Sequence, residues 1–224
     1  MNRSAFIISI VILLLISAIG LSYSLYSRSY SSTLTYSIEI TASDEIQDVT
    51  FLIPLPHGKE SAMIHRVIEN NLSTCGSWTC TLIETEYGTM LELSIQTIKA
   101  HDPFSISITL PTYEINTQNP LTSELIFLPK TDLNEREYPF PHPDWDYLSC
   151  YTNTCTLYAD FHATPSTELS IAISINGRNN WWVFGWSGNE YSDELHLSLI
   201  GESHDWVQIS GNLTVGFGRY NPFF

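Results

Sequence analysis

Seventeen consecutive residues, Ala5 to Leu21, carry no ionisable side chain, and no acidic residue precedes Glu39. As a helix this run spans about 25 Å, and continuation through Tyr26 brings it to about 33 Å. That length crosses the ~30 Å hydrocarbon core of a bilayer. Tyr23 and Tyr26 suit the aromatic belt at its outer end. Arg3 and the amino terminus outweigh Arg28, which places the N-terminus in the cytoplasm by the positive-inside bias. Residues 1–27 therefore read as a short cytoplasmic start and a signal-anchor helix, with residues 5–26 in the membrane. The expected location is the cell membrane, single-pass, with the C-terminal domain extracellular. The alternative is a cleavable signal at Ala18-Ile19-Gly20 and a secreted protein.

Arg3-Ser4 lies directly before the apolar run. A short basic leader, a cut ahead of a hydrophobic helix and a β-rich head resemble archaeal type IV pilin precursors. The resemblance covers the leader and helix only and lacks a glycine at the cut. It implies a filament subunit whose helix packs into a fibre core after processing between Ser4 and Ala5.

Hydrophobic residues make up 43% of the whole chain, enough for a packed core rather than a disordered segment. The formal net charge of −15, with no compact Lys/Arg cluster, excludes nucleic acid as a partner. Most of the remainder alternates apolar and Ser/Thr residues with period 2, the pattern of half-buried strands. Strands are expected at 34–40, 49–53, 81–86, 90–97, 104–110, 125–128, 156–161, 169–175, 181–186, 195–200 and 206–217. Only Ser61 to Asn70 looks helical, with Met63, Ile64, Val67 and Ile68 on one face and Ser61 as its cap. Pro139, Pro141 and Pro143 mark an extended loop within the irregular stretch 132–147. The expected fold is mostly β, an antiparallel sandwich-like ectodomain after a transmembrane helix.

Four cysteines form two equally spaced pairs, Cys75/Cys80 and Cys150/Cys155, each within the pattern C-x-x-x-T-C-T-L. An even count beyond a membrane signal reads as two local disulfides across tight turns. A cross-pairing, or a four-thiolate zinc site, is the alternative. The matching segments Phe51–Pro54 with Ile126–Pro129, and Glu92–Ile95 with Glu168–Ile171, keep the same order. They suggest one large β domain or two related units, 28–112 carrying Cys75/Cys80 and 113–224 carrying Cys150/Cys155.

The densest aromatic stretch is Asn179 to Asn189. Read as a strand, it puts Trp182, Phe184 and Trp186 on one face, a core feature or a platform for a protein or glycan. Trp182, Trp186 and Trp145 are the expected contact residues, with amides such as Asn179 and Asn189 to read hydroxyls. His142, Asp144 and Asp146 in the proline loop, and Asp160-x-His162, carry metal-ligating types but read as surface groups. No cofactor and no metal-ligand set is expected. Asn71 and Asn212 open N-x-S/T sequons. Elbow, zincin and phosphate-loop motifs are lacking, so the expected role is a non-catalytic surface interaction, adhesion or structural one. An anchored or secreted hydrolase with a dispersed site is the remaining alternative.

Overall fold

A computed structural model describes residues 3–58, 61–71, 76–122, 126–127, 131–136 and 148–221. Helix α1 (Arg3–Ser29) projects from the rest, with every residue from Phe6 to Leu21 exposed to its surroundings, and touches β10 only near its C-terminal end. After it come β1 (Ser31–Ala42), β2 (Ile46–Pro54), the two-residue β3 (Pro56–His57) and helix α2 (Ser61–Asn71). Then follow β4 (Thr79–Thr85), β5 (Gly88–Ile98), β6 (Phe104–Thr112), β7 (Ile126–Phe127) and β8 (Thr131–Arg136). Four long strands complete the chain: β9 (Ser149–His162), β10 (Glu168–Trp182), β11 (Trp186–Ile200) and β12 (Ser203–Gly218).

The alternation visible in the sequence becomes alternation of burial. In β1, Ser32, Leu34, Tyr36, Ile38, Ile40 and Ala42 point inward, while Thr35, Ser37 and Glu39 point out. β10 keeps the same two-residue rhythm through Leu169, Ile171, Ile173 and Ile175. Such strands bury one face and solvate the other, which suits antiparallel pairing. All described ladders are antiparallel, and the principal sheet runs β4-β5-β2-β9-β12-β11-β10-β1-β6, with β8 beside β9. β3 and β7 form a separate small ladder.

The sheet curls. Its two edges, β4 and β6, both contact α2, whose Ile64 and Ile68 are buried in the core. Just ahead of β4, Trp78 packs on Phe104 of β6 with ring centroids 4.4 Å apart and also stacks over Phe51. The helix thus covers exposed ladder edges that would otherwise recruit other chains. The cross-section is that of a sandwich or half-barrel. Phe51, Phe161, Tyr36 and Phe127 fill it with edge-on and tilted ring contacts. Fully buried Asp193 accepts the Phe127 amide at 2.9 Å, fixing β7 beneath the sheet. At mid-sheet the Tyr191 ring lies over Gly177, its cross-strand neighbour, where a Cβ would fall 2.1 Å from the ring.

The segments 28–112 and 113–224 share this sheet. β9 to β12 occupy the middle, while strands of the first segment flank them on both sides. The repeat in letters is not a repeat in pairing: β4 pairs with β5, but β9 and β10 are separated by β12 and β11. Cys150 and Cys155 do not staple a turn. Both are buried thiols within the continuous strand β9, five residues and about 16 Å apart. A disulfide needs Cα atoms within about 7 Å. Of the other pair, Cys80 lies buried in β4, and Cys75 lies outside the described residues.

Candidate functional site

The junction between α1 and the head is the most elaborated part of the molecule. β1 begins at Ser31, paired with Asn180, so β10 overshoots it and carries Trp181 and Trp182 alongside the last helical turn. Trp181 is buried, stacked on Tyr30 (6.2 Å, 6° between planes) and meeting Tyr26 edge-on at 6.0 Å. Ser29 Oγ accepts the Trp182 amide at 2.7 Å. Burial pushes the Tyr30 hydroxyl up to about 12, and the nearby Glu114 charge adds to the effect; the Ser32 hydroxyl acts in the opposite sense.

Behind these rings lies a closed polar network. Asn179 Oδ1 accepts from Ser32 Oγ (2.7 Å) and the Ile115 amide (3.1 Å). Its Nδ2 donates to the Ile115 carbonyl and to Asn189 Oδ1, both at 2.8 Å. Thr117 donates to Asn189 Oδ1 at 2.7 Å, so the Tyr220 hydroxyl, also 2.7 Å away, donates to Thr117. Asn189 Nδ2 caps the Arg219 carbonyl at 3.0 Å. Both amides expected to read a ligand are therefore spent on tying β10, β11, the 113–118 segment and the C-terminal end together. Tyr26, Tyr30, Glu114, Trp181 and Tyr220 also wall an open cavity of about 360 Å³ at this place.

Trp181 to Trp186 is a hairpin tip, not one strand. Trp182 and Trp186 face each other as the last pair of the β10–β11 ladder, and Val183-Phe184-Gly185 closes the turn. Phe184 sits at φ 54°, in the left-handed region that costs a bulky residue on the order of 1–3 kcal/mol. It is 70% exposed, and Trp186 is 73% exposed. Trp182 is half-buried, its ring 6.2 Å from that of Phe184. Tyr113, 90% exposed, follows the end of β6 that pairs with Ser32, and so belongs to the same end of the head. Trp145 lies outside the described residues, as do His142, Asp144 and Asp146.

The opposite end of the head carries Asp160-x-His162 at the close of β9. Antiparallel pairing sets His204 of β12 across from Asp160, with Glu202 beside His162. His204 Nδ1 lies 2.6 Å from Asp160 Oδ1, and the rings of His162 and His204 are 4.9 Å apart. Sequence reading noted Asp160 and His162 and missed their partners. The signal was available: Glu202-Ser-His204 repeats the carboxylate-x-His pattern of Asp160-Phe-His162, but nothing local pairs positions 40 residues apart. Of the two sequons, Asn212 lies half-buried within β12 between β9 and β11, and Asn71 ends α2.

α1 provides one segment, Phe6–Ser29, long and apolar enough to span a membrane. The same properties suit a signal sequence. No family model, curated protein or solved structure matches the chain.

Proposed function

We propose that the chain is a single-pass membrane protein. Its β domain rests on the outer face of the bilayer as a non-catalytic surface module, making adhesive or structural contact with a protein or glycan partner. One observation carries the anchoring: residues 6–21 of the apolar helix have no partner face in the head, while exposed aromatic rings cluster where the helix joins it. Tyr23, Tyr113, Phe184 and Trp186 are amphipathic or apolar side chains at the level where hydrocarbon gives way to headgroups. The β10–β11 tip overshoots the start of β1 by roughly 10 Å on the helix side, so it reaches into that layer. Backbone strain at Phe184 supports a role for the tip, because strained conformations persist where function requires them. In this reading Trp186 serves the membrane surface rather than a distal ligand, and Trp182 links tip to helix. A Cys75–Cys80 disulfide fits the oxidising side of the membrane.

Intact mass and N-terminal sequence of the protein from native membranes and from the medium test the reading. Membrane-bound chains retaining residues 5–26 are expected. A chain starting at Ala5 replaces the anchor with a pilin-like filament subunit, and one starting near Leu21 in the medium makes it a secreted domain.

A further inference from the structure

We propose that the end of the head farthest from α1 holds a divalent transition-metal ion of zinc type, bound by His162, Glu202 and His204, with Asp160 orienting His204. Asp160 and His162 of β9 and His204 of β12 emerge on the outer face of these neighbouring strands, opposite core residues Ala159 and Phe161, and Glu202 stands in the turn directly before β12. The two histidines and Asp160 are therefore set by the β9–β12 ladder, and Glu202 by the two-residue turn that leads into it.

The ligand atoms of His162, Glu202 and His204 all lie within 4.8 Å of one another. Glu202 Oε2 stands 3.8 Å from His162 Nδ1 and 3.9 Å from His204 Nε2, too far for hydrogen bonds to either. Tetrahedral zinc, with bonds of about 2.0–2.2 Å, needs donor separations of roughly 3.3–3.5 Å. Side chains about half to two-thirds exposed close that gap by small rotations.

Asp160 decides which nitrogen of His204 is available. It takes the Nδ1 proton at 2.6 Å and is itself approached by the Tyr158 hydroxyl at 3.4 Å. With Nδ1 engaged by Asp160, Nε2 of the ring points toward the Glu202 carboxylate 3.9 Å away. A carboxylate holding the far nitrogen of a ligating imidazole is the usual outer support of a metal site. Two imidazoles and one carboxylate suit zinc and its first-row neighbours, whereas calcium and magnesium take all-oxygen sets. The remaining coordination positions face solvent, so the ion can accept a donor from another molecule.

The test is calorimetric titration of the full chain, untagged and chelator-treated in detergent micelles, with Zn2+. One equivalent bound is expected, with affinity lost in His162→Ala/His204→Ala and lowered about 10–100-fold in Asp160→Asn. Binding unchanged in His142→Ala is also expected, and melting curves of the variants report their folding. No zinc uptake at sub-millimolar concentration, equal uptake by the double variant, loss in His142→Ala instead, or a preference for Ca2+ would each overturn the proposal.

Discussion

Ser29, the last residue of the apolar helix, is bonded to the backbone of Trp182, 153 positions away in the chain. Its Oγ accepts the Trp182 amide, while its one proton returns to the Leu25 carbonyl at 2.7 Å. The apolar helix is thereby continued into the β10–β11 hairpin by a hydrogen bond as well as by the covalent step into β1. Replacing Ser29 by Ala leaves that amide without its acceptor and costs about 1 kcal/mol, lowering the melting temperature by about 2–4 °C for a domain of this size. Ser29→Thr keeps the oxygen and is expected to melt with the wild type. Equal melting of all three by circular dichroism would show that the contact does not tie helix to head.

Asn179 satisfies four groups at once, all of them buried. Asn179→Ala strands the Ile115 amide and carbonyl together, and each orphan costs about 1–3 kcal/mol. A loss of at least about 2 kcal/mol is expected from the urea midpoint at unchanged m-value. A shift below about 0.5 kcal/mol would mean that water replaces the network at no cost.

Phe184 and Trp186 are exposed, so Phe184→Ser and Trp186→Ser are expected to change head stability by less than about 0.5 kcal/mol. In nanodiscs containing brominated lipid, tryptophan fluorescence is expected to be quenched in the wild type and markedly less in Trp186→Ser. Undiminished quenching in that variant would remove the tip from the bilayer surface.

Tyr30 makes alkaline stability diagnostic. Its hydroxyl titrates near 10 when unfolded and at about 12 in the folded protein, chiefly through burial. The folded state holds the proton more tightly, so this contribution is complete below pH ~10 and disappears as pH rises toward 12. Burial pushes Tyr36 upward as well. Tyr30→Phe is expected to flatten part of the decline in melting temperature across that interval. Parallel curves would assign the loss to other groups.

Cys150 and Cys155 share one strand, and their thiols are expected to react separately. Unfolding without reductant in the presence of iodoacetamide adds a carbamidomethyl group at each, located by peptide mass. A native peptide linking Cys150 to Cys155 would contradict the β9 pairing.

Several features were legible because they are periodic and local. The two-residue rhythm of Ile106, Ile108 and Leu110 marks β6, and Ile64, Val67 and Ile68 mark the inner face of α2. Trp181 to Trp186 misled for the same reason. Its apolar alternation continues across a turn, and Phe184 occupies a left-handed conformation that sequence patterns assign to glycine or asparagine. The C-x-x-x-T-C-T-L repeat also misled, since Thr and Leu in strand rhythm recur wherever a half-buried strand does. In Cys150–Cys155 the same letters describe an uninterrupted strand rather than a loop.

The amino-acid sequence by itself determined that one apolar helix precedes a β-rich, acidic, half-buried set of strands, because burial period and side-chain charge are properties of neighbours along the chain. Only the tertiary structure decided the strand order, the closing of β4 and β6 around α2, the meeting of Ser29 with Trp182, and the grouping of His162 with Glu202 and His204. Those relationships join residues tens to more than a hundred positions apart. They depend on which ladders bury the most apolar surface while satisfying every backbone group, a choice that no local pattern encodes.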